Sequence, residues 1–159
     1  MTSLHSQLRD SYAELQGKQK SAATRAASIR RLQRLLLPHL PAARQCALDL
    51  GAGQGELVEA LQLLGYASVE GIELSPSQVR LAELHGCQAV REGDAGQALA
   101  EYPDASLDLI CCFDVFEHLS HDVCARWFAE IHRVLRPGGR LIGHVPNGLS
   151  PFAGGGVLG

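Results

Sequence analysis

Ala47-Leu48-Asp49-Leu50-Gly51-Ala52-Gly53-Gln54-Gly55 is the stretch on which the fold turns. The apolar run Cys46 to Leu50 is too short for a helix and reads as a buried strand. It enters three glycines at alternate positions, and Glu56 to Leu64 then repeats apolar residues with helical spacing, stopped at Gly65. A strand that feeds a glycine turn and then a helix lets backbone approach a ligand closely, because glycine has no Cβ and accepts positive φ. The helix start adds unpaired N–H groups. A dinucleotide fingerprint would set its third glycine at position 56, where this chain has Glu56. A carboxylate at a helix start works against a pyrophosphate. A ligand without phosphate, with an amino-acid end and a sulfonium, meets no such objection from Asp49 and Glu56.

Outward from this turn, strands and helices alternate. Ser68 to Glu73 is a second strand, Pro76 opens a helix that Gly86 ends, and Gln88 to Arg91 is a short third strand. Leu107 to Phe113 is a strongly apolar fourth strand, and His121 to Leu135 is an amphipathic helix with Trp127, Ile131 and Val134 on one side. Pro137-Gly138-Gly139 reads as a tight turn before a fifth strand, Arg140 to Val145. Upstream, helices are expected over Ser3 to Gln16 and Ala22 to Leu37, the second with Ile29, Leu32, Leu35 and Leu36 on one face and Pro38 and Pro41 as its stop. The pattern predicts an α/β fold: a doubly wound, mostly parallel sheet with right-handed crossovers and helices on both faces. The expected organisation is N-terminal helices over 1–42 as a cap, a ligand-binding core over 43–147, and a flexible glycine-rich tail over 148–159.

Two further motifs fall at strand ends, where ligands bind in such sheets. Glu73 follows the glycines at close to the ~20 residues expected of an acidic ribose reader, whose carboxylate accepts from adjacent hydroxyls. Leu74, next to it, is placed to pack on an adenine face. In Glu92-Gly93-Asp94-Ala95, Asp94 has two roles open to it: acceptor for an adenine amino group, or N-cap of a following helix.

Composition narrows the class. The chain of 159 residues fits one domain, and no apolar run reaches the ~18–20 residues of a membrane-spanning helix. No secretory signal is evident, and Cys46, Cys87, Cys111, Cys112 and Cys124 form no CxxC pair, so the expectation is a cytoplasmic protein with reduced thiols, no zinc site and no other metal. Net charge is -3, with a basic surplus before Leu36 and an acidic body after it. Without interleaved aromatics, the basic arm reads as a helix face lying against the acidic body; neither a nucleic-acid nor a membrane partner is expected.

The order Asp49-x-Gly51-x-Gly53-x-Gly55, the strand-end Glu73, Gly93-Asp94-Ala95, Phe113-Asp114-Val115-Phe116-Glu117-His118 and Val134-Leu135-Arg136-Pro137-Gly138-Gly139 resembles class I S-adenosylmethionine-dependent methyltransferases. Within them it is most similar to the branch holding ubiquinone-biosynthesis-type O-methyltransferases. The resemblance implies a Rossmann-like core with S-adenosylmethionine as cofactor and methylation, most simply O-methylation, of a small-molecule acceptor. It implies that Gly51 and Gly53 border the methionine part, with Asp49, Ala52 and Gly55 of the same turn also in the cofactor site. Glu73 would hold the ribose, Asp94 and Ala95 the adenine, and Phe113 would bring backbone to the methionine end. A hydroxyl acceptor also calls for a base; His118 is the first candidate, with Asp114, His121 and His144 behind it. Such domains continue past the fifth strand, so the chain reads as truncated there, and a homodimer covering the open sheet is expected. The alternatives are a cofactor-binding but catalytically silent module and, disfavoured by Glu56, a nicotinamide oxidoreductase.

Overall fold

The computed structural model describes residues 20–146. The expected helix over 3–16 and the tail over 148–159 lie outside them. The described chain opens with helix α1 (Ala22–Leu36) and a short 3₁₀ turn (Leu37–His39). It continues with β1 (Cys46–Leu50), α2 (Glu56–Leu63), β2 (Ser68–Glu73), α3 (Pro76–Leu84), β3 (Val90–Glu92), α4 (Ala95–Glu101), β4 (Leu107–Phe113), a second 3₁₀ turn (Phe116–His118), α5 (His121–Val134) and β5 (Leu135–His144).

All four strand pairs are parallel, and the order across the sheet is β3-β2-β1-β4-β5. The winding direction therefore reverses between β1 and β4, the crevice in which such sheets bind ligands. Strand periodicity sorts the core into two layers. Ala47, Leu109 and Cys111 pack on one face with Leu57, Val58 and Leu61 of α2 and Val79 and Ala82 of α3. Leu48, Leu50, Ile110 and Cys112 pack on the other with Leu99 of α4 and Trp127, Ile131 and Val134 of α5.

Three details depart from the sequence reading. Helix α4 was not expected as a helix; Asp94 starts it, its side chain accepting from the Gln97 N–H at 2.9 Å. The third strand occupies Val90–Glu92 rather than 88–91. The fifth strand runs over Leu135–His144 rather than 140–145, and Pro137-Gly138-Gly139 lies inside it as an irregularity. Leu135 pairs with Leu107 and the register resumes with Arg140 opposite Leu109, so extra residues of β5 bulge out. Gly138 takes φ +84, and a Cβ on Gly139 would lie 2.9 Å from the Arg136 carbonyl oxygen and 3.1 Å from that of Asp108. The motif is thus a close backbone approach between two strands.

Asp108, at the amino end of β4, ties that end together. Its carboxylate accepts from the N–H groups of Gln45 (2.8 Å) and Cys46 (2.9 Å) and pairs with Arg136 at 2.9 Å.

Candidate functional site

Register fixes what stands at the carboxyl edge. Leu50 pairs with Ile72 and Cys112, and Cys112 with Gly143. The next residue along each chain segment therefore forms one row: Glu73 on β2, Gly51 just after β1, Phe113 on β4 and His144 on β5.

The glycine turn leaves β1 through three positive-φ residues, Gly51 (+81), Gly53 (+51) and Gly55 (+78). The N–H groups of Gly51 and Ala52 both donate to the Ile72 carbonyl, at 2.9 and 3.0 Å, stitching the turn to β2. Val115 packs over Gly51 so closely that a Cβ there would come within 2.4 Å of the valine methyl. Above Gly53, by contrast, no atom of the described residues lies within 4 Å of where a Cβ would stand. The turn is thus closed at its first glycine and open at its second.

Glu73 reaches this open glycine. Its Oε2 accepts from the Gly53 N–H and its Oε1 from the Ser75 N–H, both at 2.8 Å. Two backbone donors fix the carboxylate, and each oxygen keeps a lone pair for a further donor such as a ribose hydroxyl. Asp49, at 2 % exposure, shares the buried end of the crevice. Among the described residues no donor hydrogen-bonds its carboxyl. Burial first, and the charge of Glu73 second, push it up to about 7. An ionisable group buried without a partner beside a glycine cradle fits a cationic ligand, which would supply the missing counter-charge.

The other expected residues take these places. Leu74 is exposed at the end of β2, 43 % accessible, where it can cover a planar ring. Asp94 is exposed and caps α4 with Oδ1, and Ala95 begins that helix. Both of the roles open to Asp94 are compatible, because capping uses one of its two oxygens. Phe113 ends β4 beside the imidazole of His144, ring centres 5.8 Å apart. His118 closes the second 3₁₀ turn, its Nε2 3.9 Å from Glu117. Asp114, which follows Phe113, has left-handed backbone at φ +57, and its carboxylate is 2.6 Å from His144 Nδ1.

Sequence reasoning missed Arg25. Its guanidinium is buried; Nη1 donates to the Gln54 carbonyl at 2.8 Å and Nη2 to Glu59 at 2.9 Å, clamping α1 onto the glycine turn. The signal was present, since Arg25, Ile29, Leu32 and Leu36 share one helical face on which a charge must find a partner. Lys20 meets Glu56 at 2.6 Å. These two basic residues of the arm therefore neutralise acids of α2, as the charge asymmetry predicts. Among the described residues, no helix is long and apolar enough to cross a membrane, and no three metal-ligating side chains converge.

This arrangement can be compared with known proteins. The family model for a methyltransferase domain matches residues 48–143. The chain is 34% identical over 105 residues to a ubiquinone biosynthesis O-methyltransferase from Burkholderia vietnamiensis, covering 64% of this chain and 44% of that protein. It is 38% identical over 104 residues to the protein of the same name from Xylella fastidiosa, covering 59% and 39%. The chain thus spans less than half the length of these curated relatives. Among solved structures, it resembles a SAM-dependent methyltransferase from Archaeoglobus fulgidus with a TM-score of 0.72 at 23% identity, covering 87% of this chain and 60% of that one, a likeness of fold. A protein from Pyrococcus horikoshii gives 0.66 at 26% identity, with 79% and 59% covered.

The fold is that of the class I S-adenosylmethionine-dependent methyltransferases. The chain belongs to the methyltransferase domain family, whose cofactor is S-adenosylmethionine.

Proposed function

We propose that this protein transfers a methyl group from S-adenosylmethionine to a small-molecule acceptor, and that the acceptor atom is a hydroxyl oxygen. One observation carries the reading: the Glu73 carboxylate is held against the Gly53 backbone by two N–H donors, beside the buried Asp49, which accepts from no donor among the described residues. The cofactor supplies an electrophilic methyl on a positively charged sulfur. In this reading Glu73 accepts from the ribose hydroxyls, Leu74 covers the adenine and Asp94 with Ala95 meets its polar edge. Gly51, Ala52, Gly53 and Gly55 border the methionine end, Asp49 faces its positive charge, and Phe113 closes the crevice toward β5. Displacement at a methyl carbon demands alignment and close approach above all, and a stitched turn on a rigid sheet provides them. Oxygen is favoured by the 34–38% identity to proteins named O-methyltransferases. A hydroxyl acceptor needs a base, and His118 and His144 both stand on segments at the ends of β4 and β5.

We assign 1–42 to a cap and 43–147 to the cofactor-binding core. The free thiols suit a reducing compartment, so we place the protein in the cytoplasm. A homodimer through the flank of β5 that no described strand pairs belongs to the same reading; a monomeric sedimentation mass at high concentration would remove it. The test of function is calorimetric titration with S-adenosylmethionine and with its demethylated product, followed by transfer of labelled methyl to phenols and catechols. Saturable binding with label on oxygen is expected. Absence of binding would overturn the reading, and binding without label on any acceptor would favour a silent module.

A further inference from the structure

We propose that His144, oriented by Asp114, is the base that takes the proton of the acceptor hydroxyl; the inference rests on the reading of the protein as a hydroxyl methyltransferase. Position comes first. Along the row at the carboxyl edge, Asp94 follows β3, Glu73 ends β2, the glycine turn leaves β1, Phe113 ends β4 and His144 ends β5. A nucleoside whose adenine lies toward β3 and whose ribose meets Glu73 directs its other end across β1 toward β4. The acceptor then approaches from the side of β4 and β5. His144 stands one strand beyond Phe113, about 4.8 Å across the sheet, and its ring lies against the Phe113 ring.

Geometry comes second. The Asp114 carboxylate oxygen lies 2.6 Å from His144 Nδ1, and the Asp114 N–H donates to the His144 carbonyl at 2.9 Å. This double link holds the two segments face to face. A carboxylate at Nδ1 fixes the ring proton there and leaves the Nε2 lone pair available as a base. His118 differs in place: residue 118 is on the neighbouring short turn rather than in the row, with Glu117 3.9 Å from its Nε2. Glu117 and His118 are the other titratable groups on the segment that follows Asp114.

Backbone strain is the third observation. Asp114 sits at φ +57. Left-handed backbone at a residue with a side chain is costly, although aspartate tolerates it better than most. The pair it forms is largely exposed, with both side chains more than half accessible, and exposed ion pairs add little stability. Strain kept at a sheet edge without a stabilising return marks a functional position.

In the step itself, His144 Nε2 accepts the hydroxyl proton as the acceptor oxygen forms its bond to the donated methyl. The sulfur–methyl bond breaks with its electron pair remaining on sulfur, and the imidazolium then loses its proton to water. Asp114 does not touch the acceptor; it is a positioning residue that selects the tautomer and holds the ring in place.

Two acceptors separate this role from a structural one: catechol, largely protonated at neutral pH, and a nitrocatechol, whose acidic hydroxyl ionises near neutrality and needs little help. His144→Gln is expected to lower kcat on catechol by about 100-fold or more, to spare the nitrocatechol within a few-fold, and to leave cofactor affinity by calorimetry unchanged. Asp114→Asn is expected to lower catechol turnover about tenfold and to change its pH profile. Nitrogen-15 NMR of the whole chain without cofactor is expected to show His144 with its proton on Nδ1, a preference that Asp114→Asn abolishes. Equal loss on both acceptors, a catechol rate within threefold of the unaltered chain, or a proton on Nε2 would overturn the assignment to His144 alone. Absence of turnover by the unaltered chain on either acceptor would overturn both the base and the function on which it rests.

Discussion

Two aspartates on adjacent strands, Asp49 near the carboxyl end of β1 and Asp108 near the amino end of β4, are equally buried at 2 % exposure, and they do opposite things. Asp108 accepts from two backbone N–H groups and from Arg136. Burial alone would raise its carboxyl; the N–H groups of Cys46 and Gln45 and the Arg136 guanidinium outweigh burial and hold it below the usual range. Asp49 has no donor among the described residues, and burial with the neighbouring Glu73 lifts it to about 7. A saturated buried carboxylate builds the fold, whereas an unsaturated one costs the fold and waits for a ligand.

The largest test of that contrast is the pH dependence of stability. The folded protein holds the Asp49 proton more tightly than the unfolded chain, whose carboxyl titrates near 3.8. The contribution is therefore fullest below pH 4 and is lost as pH rises toward 7. The loss levels off above pH 7 at on the order of 4 kcal/mol. Asp49→Asn should remove this slope, so that in urea unfolding the variant outlasts the parent at pH 8 while binding S-adenosylmethionine at least several-fold more weakly. A variant as pH-dependent as the parent would break the comparison.

Asp108→Ala should behave in the reverse sense. Two N–H groups lose their acceptor and Arg136 its partner, a cost of about 3 kcal/mol in unfolding free energy, at the low end for a buried pair because Arg136 is partly exposed. Cofactor affinity of the folded variant should not change; a loss of affinity would show that the amino edge is not merely structural. Glu73→Ala should weaken cofactor binding about 10- to 100-fold in calorimetry, since charge-assisted bonds to hydroxyls contribute about 1.5–3 kcal/mol each. Unchanged affinity would sink the ribose assignment. The smallest effect is expected from Leu74→Ala, a loss of about threefold in affinity through reduced apolar cover.

Much of the site was legible in the chain. The glycine turn and Glu73 were readable because a strand of fixed length feeding glycines has few conformations open to it, and because an acid at that spacing lands on the neighbouring strand tip. Helix α4 was not, since Ala95-Gly96-Gln97 carries weak helical preference and only the Asp94 cap and Trp127 packing against Gly96 stabilise it. The bulge at Pro137-Gly138-Gly139 looks like a turn locally; only pairing to β4 makes it part of a strand. Asp108 and Arg136 gave no local sign because their partnership spans a crossover.

Sequence alone determined what depends on near neighbours: β1, β2 and β4 to the residue, the parallel winding, the glycine turn and the place of Glu73 at the neighbouring strand tip. Tertiary structure alone decided what depends on register between distant strands. It set Asp108 among donors and left Asp49 without them, buried Arg25 under the glycine turn, and brought Asp114 to His144. Each of these is an energy of desolvation and pairing, and such energies exist only once the chain has closed around the groups concerned.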